Sequence, residues 1–294
     1  MAQPPRSSAS TPVENVDRDT VDGFGREWTS FDQTALDDTE ARALFAQYFA
    51  VFPWHQLPAQ AEGFDLGCGS GRWARLVAAR VGRLHCVDAS EAALAVARRA
   101  LSRHDNCEFH HADVAAMPLP EASMDFGYAL GVLHHVPDTA AGIANCVAKL
   151  KPGAPLLIYL YYAFDQRPAW FRALWRASDV LRRAISRAPY ALRYALCQVL
   201  AMTVYWPLAR GARGLEGLGL EVGGLPLSAY RNKSFYTMRT DALDRFGTRL
   251  EQRFTRGEIE AMMRQAGLTD IRFHTGEPFW CAVGNKVGNK DSRA

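Results

Sequence analysis

The sequence predicts an α/β protein built on a doubly wound parallel sheet, and three observations carry that prediction. Apolar strand patterns alternate with helix patterns from about residue 60 to residue 164, as in chains of β-α units. Three glycines at alternate positions follow the first strand pattern, where the chain must turn sharply into a helix. A helix pattern near 256–267 then precedes two closely spaced strand patterns, 270–274 and 279–283, which indicate a terminal antiparallel hairpin.

The elements are expected in the following order. A helical segment lies within 24–58, because apolar residues such as Leu44 and Tyr48 recur at helical spacing. Ser90 suits the N-cap of the helix after the second strand. The segment Lys151-Pro152-Gly153 ends the helix before the fifth strand. Strands are predicted near 62–66, 83–87, 107–110, 124–130 and 155–161, and helices near 70–80, 90–103 and 138–149.

The alternation of strands and helices stops at residue 165. From 165 to 240 the chain shows two helix patterns and a glycine-rich loop, with 12 Lys and Arg against 4 Asp and Glu. We interpret this segment as an inserted helical lid. The predicted organisation is a disordered tail (1–22), an N-terminal helical cover (23–60), a sheet domain (61–164 and 241–286), the lid (165–240) and a tail (287–294).

Composition excludes several classes of protein. The net charge of +3 is too small to predict a nucleic-acid partner. Six cysteines form no CxxC pair and no metal-like cluster, so we expect free thiols in a reducing cytoplasm and no metal. The N-terminus has no apolar core of a signal peptide. The longest apolar stretch, 194–209, is shorter than the roughly 20 residues that span a bilayer, and it predicts a buried or interfacial helix.

The glycine turn carries the functional signal. In GFDLGCGSGRWA (63–74), Gly67, Gly69 and Gly71 follow a strand that ends near Asp65, and Asp88 ends the next strand 21 residues after Gly67. Glycines let the backbone approach a ligand closely, and a carboxylate at the second strand tip can accept ribose hydroxyls. The unit therefore predicts a nucleoside-containing cofactor. Its Gly-x-Gly-x-Gly spacing differs from the Gly-x-Gly-x-x-Gly of dinucleotide proteins, which disfavours a nicotinamide-dependent oxidoreductase.

On these motifs the chain resembles the class I S-adenosylmethionine (SAM)-dependent methyltransferases of small-molecule type, over roughly residues 60–164 and 255–285. The resemblance implies a Rossmann-like, seven-stranded sheet, SAM as cofactor and S-adenosylhomocysteine as product. The cofactor contacts that the resemblance implies are Asp65, Gly67, Cys68, Gly69, Ser70, Gly71, Asp88, Ala89, Asp113, Val114 and Leu130. For Asp113 the alternative to a cofactor contact is an Asx-turn at the end of the third strand.

A pair of histidines follows the fourth strand, in ALGVLHHVPD (129–138). Many small-molecule methyltransferases carry a similar segment here. The Asn- or Asp-Pro-Pro-Tyr/Phe motif of enzymes that methylate nucleic-acid or protein amino groups is absent from this sequence. Because histidine titrates near neutral pH, His135 and His134 are candidate general bases. The alternative for either residue is a fixed structural hydrogen bond.

Aromatic and basic side chains are the candidates for binding an acceptor. Some follow the fifth strand, others lie in the segment that returns from the lid, and one lies in the helical cover beside the cofactor cleft. Aromatic faces also suit a cationic sulfonium. The predicted acceptor-binding residues are Trp28, Tyr161, Tyr162, Tyr230, Arg231, Tyr236 and Arg239.

These features together predict an enzyme that transfers a methyl group from SAM to oxygen or nitrogen of a small organic acceptor. Two alternatives stay open. The first is a methyltransferase of a lipid-linked or membrane-resident acceptor, because the basic, amphipathic segment 165–210 suits an anionic bilayer surface. The second is a SAM-binding protein that does not transfer the methyl group.

Overall fold

A seven-stranded mixed sheet organises the chain in the computed structural model, which describes residues 14–165 and 167–288. The strand order is β3-β2-β1-β4-β5-β7-β6. The first five strands run parallel, and β7 runs antiparallel to both β5 and β6. The predicted fold class, including the terminal hairpin, is therefore confirmed. The strands are β1 (Glu62–Leu66), β2 (Arg83–Asp88), β3 (Cys107–His111), β4 (Phe126–Leu130), β5 (Pro155–Tyr159), β6 (Leu268–Phe273) and β7 (Cys281–Lys286).

Ten α-helices accompany the sheet in the described residues. The Ser90 hydroxyl accepts a hydrogen bond from the Ala93 N–H and caps α4 as predicted. The helix expected near 70–80 is shorter than predicted, and a π-helical turn, Ala201–Tyr205, joins α7 to α8. The helices are α1 (Arg18–Ser30), α2 (Asp38–Tyr48), α3 (Ala74–Ala78), α4 (Glu91–Ala100), α5 (Thr139–Lys149), α6 (Ala169–Ile185), α7 (Tyr190–Leu200), α8 (Trp206–Gly217), α9 (Phe235–Gly247) and α10 (Arg256–Gln265).

Two predicted boundaries need correction. Helix α1 begins at Arg18, inside the segment 1–22 predicted as a tail, because the Asp17 carboxylate accepts the Thr20 N–H and caps a helix there. The end predicted for the lid at residue 240 falls within α9, where Thr240 is buried. Residues 1–13 and, in the predicted tail 287–294, residues 289–294 lie outside the described residues.

The buried side chains form three apolar clusters. Two of them lie on opposite faces of the sheet, because successive residues of β5, such as Leu156 and Leu157, belong to different clusters. The third cluster joins Phe31, after α1, to lid residues such as Cys197 and to Leu243 of α9. The inserted helices thus have a core of their own. None of the helices in the described residues is long and apolar enough to cross a bilayer.

Two glycine–phenylalanine pairs fix the contact between β1 and β4. Gly63 lies opposite Phe126, and Phe64 lies opposite Gly127. A Cβ atom added at either glycine would overlap the ring of the phenylalanine across the strand pair. All four residues therefore fit together only because each ring covers a position without a side chain.

We expect Gly127→Ala to lower the free energy of unfolding by about 1–3 kcal/mol, the usual cost of overpacking a core. Denaturant titration measures this change. Gly214→Ala is the matched control: its Cβ would meet no atom within 4 Å, and alanine in the interior of α8 should stabilise the helix by up to about 1 kcal/mol. Equal effects of the two substitutions would contradict the packing argument.

Candidate functional site

The glycine turn and the tip of β2 meet at the carboxyl edge of the sheet. Asp88 accepts two backbone hydrogen bonds, from the Gly69 N–H at 2.9 Å and from the Ser90 N–H at 2.8 Å. Gly69 has a φ of +55°, which glycine adopts at little cost. The carboxylate of Asp88 is therefore held in place against the turn, and each of its oxygens keeps a second lone-pair site for a ligand hydroxyl.

Asp65, at the end of β1, carries a buried carboxyl group without a full set of partners. Its Oδ2 atom has no hydrogen-bond partner among the described residues, and neither has the hydroxyl of the buried Ser70 in the same turn. Burial raises the pKa of Asp65 to about 8. An unpartnered carboxylate oxygen costs free energy unless a donor satisfies it, so this end of the turn suits a ligand that brings an ammonium or N–H group.

The other predicted cofactor residues lie along the same edge in different settings. Cys68 is buried in an apolar cluster, so its side chain faces the core. The carbonyl of Ala89 accepts a hydrogen bond from the His111 ring, 3.0 Å away. Asp113 accepts the N–H groups of Ala115 and Ala116 through Oδ1. That arrangement is the Asx-turn that the sequence left open as the alternative. Val114 is buried in the core.

A cavity of about 1200 Å³ opens beside the ends of β4 and β5, where Leu130 and Gly131 line it. Its walls come from α1, α2, the lid and α9, with tyrosines and charged side chains among many apolar ones. A pocket of this size accommodates more than one small molecule. Five of the predicted acceptor-binding residues line it: Trp28, Tyr161, Tyr162, Tyr230 and Arg231.

The structure places the remaining two predicted acceptor-binding residues away from this cavity. The hydroxyl of Tyr236 accepts the Gln33 N–H at 3.0 Å. Arg239 donates to Gln198 and to the Tyr194 hydroxyl and lies over the Phe31 ring. Tyr236 joins α9 to the segment after α1, and Arg239 joins α9 to α7 and to Phe31, so the polar groups of both side chains are already used.

Two carboxylates that line the cavity are absent from the sequence prediction. Asp241 and Asp244 are three residues apart on α9, a spacing that puts them on one helix face. The Tyr161 hydroxyl donates a hydrogen bond to Oδ2 of Asp244. Burial, aided by the negative charges of Asp241 and Glu251, raises the pKa of Asp244 to about 7. The spacing in TDALDRFG was a visible signal, but only the fold brings α9 beside β5.

Glu27 and a group of arginines complete the charged wall. Glu27, on α1, is fully buried; burial and then the charges of Asp244 and Asp241 raise the pKa of its carboxyl well above the ordinary value. Glu251 pairs with Arg245 at 2.7 Å and with Arg253 at 2.8 Å. The Arg253 guanidinium also lies over the Tyr161 ring, 5.0 Å from its centroid. The pair of Arg253 with Glu251 and the stacking of Arg253 on Tyr161 hold the tyrosine ring at the cavity wall.

The two predicted catalytic histidines lie behind Tyr161 and Asp244 and do not line the cavity. His135 Nδ1 donates to the Leu250 carbonyl at 2.7 Å, so the neutral ring presents a lone pair at Nε2, 3.9 Å from Oδ1 of Asp244. Burial lowers the pKa of His135 to about 4. His134 is fully buried without a hydrogen-bond partner among the described residues, and its ring lies against Tyr161. The prediction that His135 and His134 act as general bases therefore needs correction, because neither ring lines the cavity.

Asp65→Asn tests the burial of the Asp65 carboxyl through the pH dependence of stability. A folded pKa of about 8, against about 3.9 in the unfolded chain, stabilises the protein most at acidic pH, and this stabilisation is lost as pH rises from 4 to 8. Between pH 4 and pH 8 the free energy of unfolding should therefore fall less in the variant than in the wild type. The difference should be about 1.4 kcal/mol for each unit by which the folded pKa of Asp65 exceeds the unfolded one. Urea titrations at several pH values measure the slope. Asp270→Asn, at an exposed carboxyl, is the control, and equal slopes for Asp65→Asn and the wild type would contradict the prediction.

Comparisons with known proteins match part of the sheet domain to a family. Residues 64–153 match the methyltransferase domain family. A protein of Mycolicibacterium smegmatis named "Probable S-adenosylmethionine-dependent methyltransferase" is 33% identical over 100 residues, 34% of this chain and 38% of that protein. The ubiquinone biosynthesis O-methyltransferase of Hahella chejuensis is 31% identical over 154 residues, 50% of this chain and 62% of that enzyme. The matches thus span less than two thirds of these relatives.

A solved structure from Bordetella parapertussis, described as a possible exported protein, has a similar fold. Its TM-score is 0.50 at 16% identity, over 89% of this chain and 79% of that one. At this identity the likeness concerns the fold alone. The sequence matches, the glycine turn and the strand order together lead to one conclusion: residues 64–153 belong to a methyltransferase domain of the class I, SAM-dependent type.

Proposed function

We propose that this protein transfers the methyl group of SAM to oxygen or nitrogen of a small organic acceptor and releases S-adenosylhomocysteine. One observation carries the proposal. The sheet edge with the glycine turn continues at Leu130 and Gly131 into a large cavity walled by tyrosines and carboxylates. The name of the H. chejuensis relative, an O-methyltransferase of ubiquinone biosynthesis, supports a small-molecule acceptor. The exposed apolar side chains of α6 to α8 favour a lipid-linked acceptor as the second candidate.

The residues at the glycine turn fit the cofactor. Asp88 would accept the ribose hydroxyls through its free lone pairs, and the unpartnered oxygen of Asp65 would accept the ammonium of the methionine portion. The Trp28 indole lies over the turn, since a Cβ at Gly69 would be 2.8 Å from its Nε1 atom. The bound cofactor supplies an electrophilic methyl group on a sulfonium. The chain's contribution is to hold both reactants in line in a site shielded from water, an effect worth roughly 7–11 kcal/mol.

Asp244 is the residue best suited to take a proton from the acceptor. With a pKa of about 7, the Asp244 carboxyl is ionised in part of the protein molecules at neutral pH, so it can accept a proton. Its neutral form is also stable at that pH, so it can hold the proton after the transfer. Tyr161 orients one carboxylate oxygen through its hydrogen bond, and the His135 lone pair lies near the other. We therefore assign the general base to Asp244 and a positioning role to Tyr161.

Calorimetric titration with S-adenosylhomocysteine tests the cofactor site. We expect Asp88→Ala to weaken binding by roughly 1.5–3 kcal/mol, the scale for a hydrogen bond to a charged group. Asp88→Asn keeps an acceptor for one of the two backbone N–H groups and removes the charge, so comparing it with Asp88→Ala helps to separate folding from binding. Asp105→Ala, at an exposed turn, is the control. Failure of the wild-type protein to bind S-adenosylhomocysteine would overturn the proposed function.

Asp244→Asn tests the assignment of the base. Acceptors come from a panel of phenols, quinols and amines, with release of S-adenosylhomocysteine as the readout. For the wild type, kcat should rise with pH through about 7, because only the ionised carboxylate accepts a proton. We expect the variant to lose about 10²- to 10⁴-fold in kcat and to lose that rise, with the affinity for S-adenosylhomocysteine unchanged. Tyr236→Phe, outside the cavity, is the control, and a variant that retains the pH profile would place the base elsewhere.

A further inference from the structure

The exposed large hydrophobic side chains of the described residues are concentrated in one part of the chain. All but one lie between Trp170 and Leu225, on α6, α7, the π-helical turn, α8 and the loop after it; Val287 is the exception. Leu192, Val199 and Met202 are each at least half exposed. Single exposed hydrophobics are ordinary, but a concentration of this kind marks an interaction surface. We call the exposed faces of these elements the lid surface.

Helix α6 has the composition of a helix that lies in a membrane interface. Trp170, Leu174 and Leu181 lie on one exposed face, while the exposed Arg172 and Arg176 lie along its flank. The opposite side of the helix packs inward through the ion pair of Arg182 with Asp179 and through Ile185, which are buried. An apolar face with cations along its edge and a tryptophan at its end is typical of helices that bind anionic bilayers in the plane of the interface.

The segment from α7 into α8 continues this pattern. From 190 to 209 the structure exposes no charged side chain, since Arg193 is buried against the carbonyls of Ser186 and Gly247. Its exposed residues are alanine, leucine, valine, methionine, tryptophan, proline and one threonine. Charge returns only at the end of the segment, with Arg210 and the exposed Arg213. A surface that is apolar in its centre and basic at its rim matches a bilayer with anionic head groups.

The lid surface is continuous with the cavity. Leu174, Val204, Leu208 and Leu225 are exposed and also line the cavity. Arg167, Arg210 and Arg213 line it as well. The mouth of the cavity therefore lies among exposed apolar side chains of α6, of the π-helical turn, of α8 and of the loop after it, with arginines around it.

We propose that the lid surface docks on an anionic lipid bilayer, so that the mouth of the cavity faces the lipid. The apolar side chains enter the interface, and the arginines contact lipid head groups through the ends of their long side chains. An acceptor that carries an apolar chain then reaches the cavity directly from the bilayer. This last step rests on the proposed function, whereas the docking does not.

Co-sedimentation of the full chain with vesicles tests the docking. We expect it to sediment with vesicles of phosphatidylcholine and phosphatidylglycerol, more weakly with phosphatidylcholine alone, and less at high salt. The double variant Leu192→Glu/Val199→Glu should lose sedimentation. Val287→Glu places one glutamate at the exposed hydrophobic residue outside the lid surface and should retain sedimentation. Arg172→Gln and Arg176→Gln should each weaken binding to the anionic vesicles roughly fivefold.

Folding and cofactor binding are measured on the same variants. Thermal unfolding and titration with S-adenosylhomocysteine should match the wild type, because the substituted side chains are exposed and lie outside the cofactor turn. A protein that sediments with vesicles but fails to bind S-adenosylhomocysteine would retain the docking and overturn the proposed function.

Three results would overturn the docking. The first is no sedimentation of the wild type with anionic vesicles, and the second is an equal loss in Val287→Glu and in the lid-surface variant. The third is a dimer in sedimentation velocity that Leu192→Glu/Val199→Glu dissociates while no vesicle binding occurs, since the surface would then join two copies of the chain.

Discussion

Backbone carbonyl groups at the C-terminal end of α9 and just after it join the lid, the sheet and the cavity. The last carbonyls of a helix lack partners within the helix and carry partial negative charge. Arg193 of α7 donates to the Gly247 carbonyl, and Arg182 of α6 donates to the Thr248 carbonyl. His135, after β4, donates to the Leu250 carbonyl. Buried guanidinium groups need acceptors for several N–H donors at once, so this helix end helps to determine where α6 and α7 lie.

The segment that follows α9 transmits this arrangement to the cavity wall. Gln252 donates its backbone N–H to the His134 carbonyl, and Phe254 donates to the Tyr161 carbonyl. Arg245 and Arg253 both pair with the buried Glu251. The Tyr161 ring, which carries the hydrogen bond to Asp244, is thus fixed on its backbone and on its face. Because the Tyr161 side chain is already fixed by these contacts, little further conformational entropy is lost when a ligand binds.

The sheet and the glycine turn were predictable because their signals are local. The period of the apolar residues, the Ser90 cap and the spacing between Gly67 and Asp88 each depend on a short stretch of sequence. Asp244 was missed because its role depends on α9 packing beside β5, a contact between residues 83 positions apart. Arg239 shows the opposite error, a residue predicted to bind the acceptor that does not line the cavity. The sequence reveals its basic side chain but not that the side chain donates its hydrogen bonds to a glutamine and a tyrosine. Likewise, a polar N-terminal segment suggested a tail, although Asp17 caps a helix in it.

The paired glycines and phenylalanines of β1 and β4 restrict how these two strands can change in sequence. Each ring occupies the volume that the facing residue leaves free, on each of the two faces of the sheet. A larger residue at position 63 is compatible only with a smaller one at 126, and the same holds for 127 and 64. Substitutions at such positions are coupled, so their effects do not add. In these two strands beside the cofactor turn, a change in the size of one residue of a pair therefore requires a compensating change in the residue that it faces on the neighbouring strand.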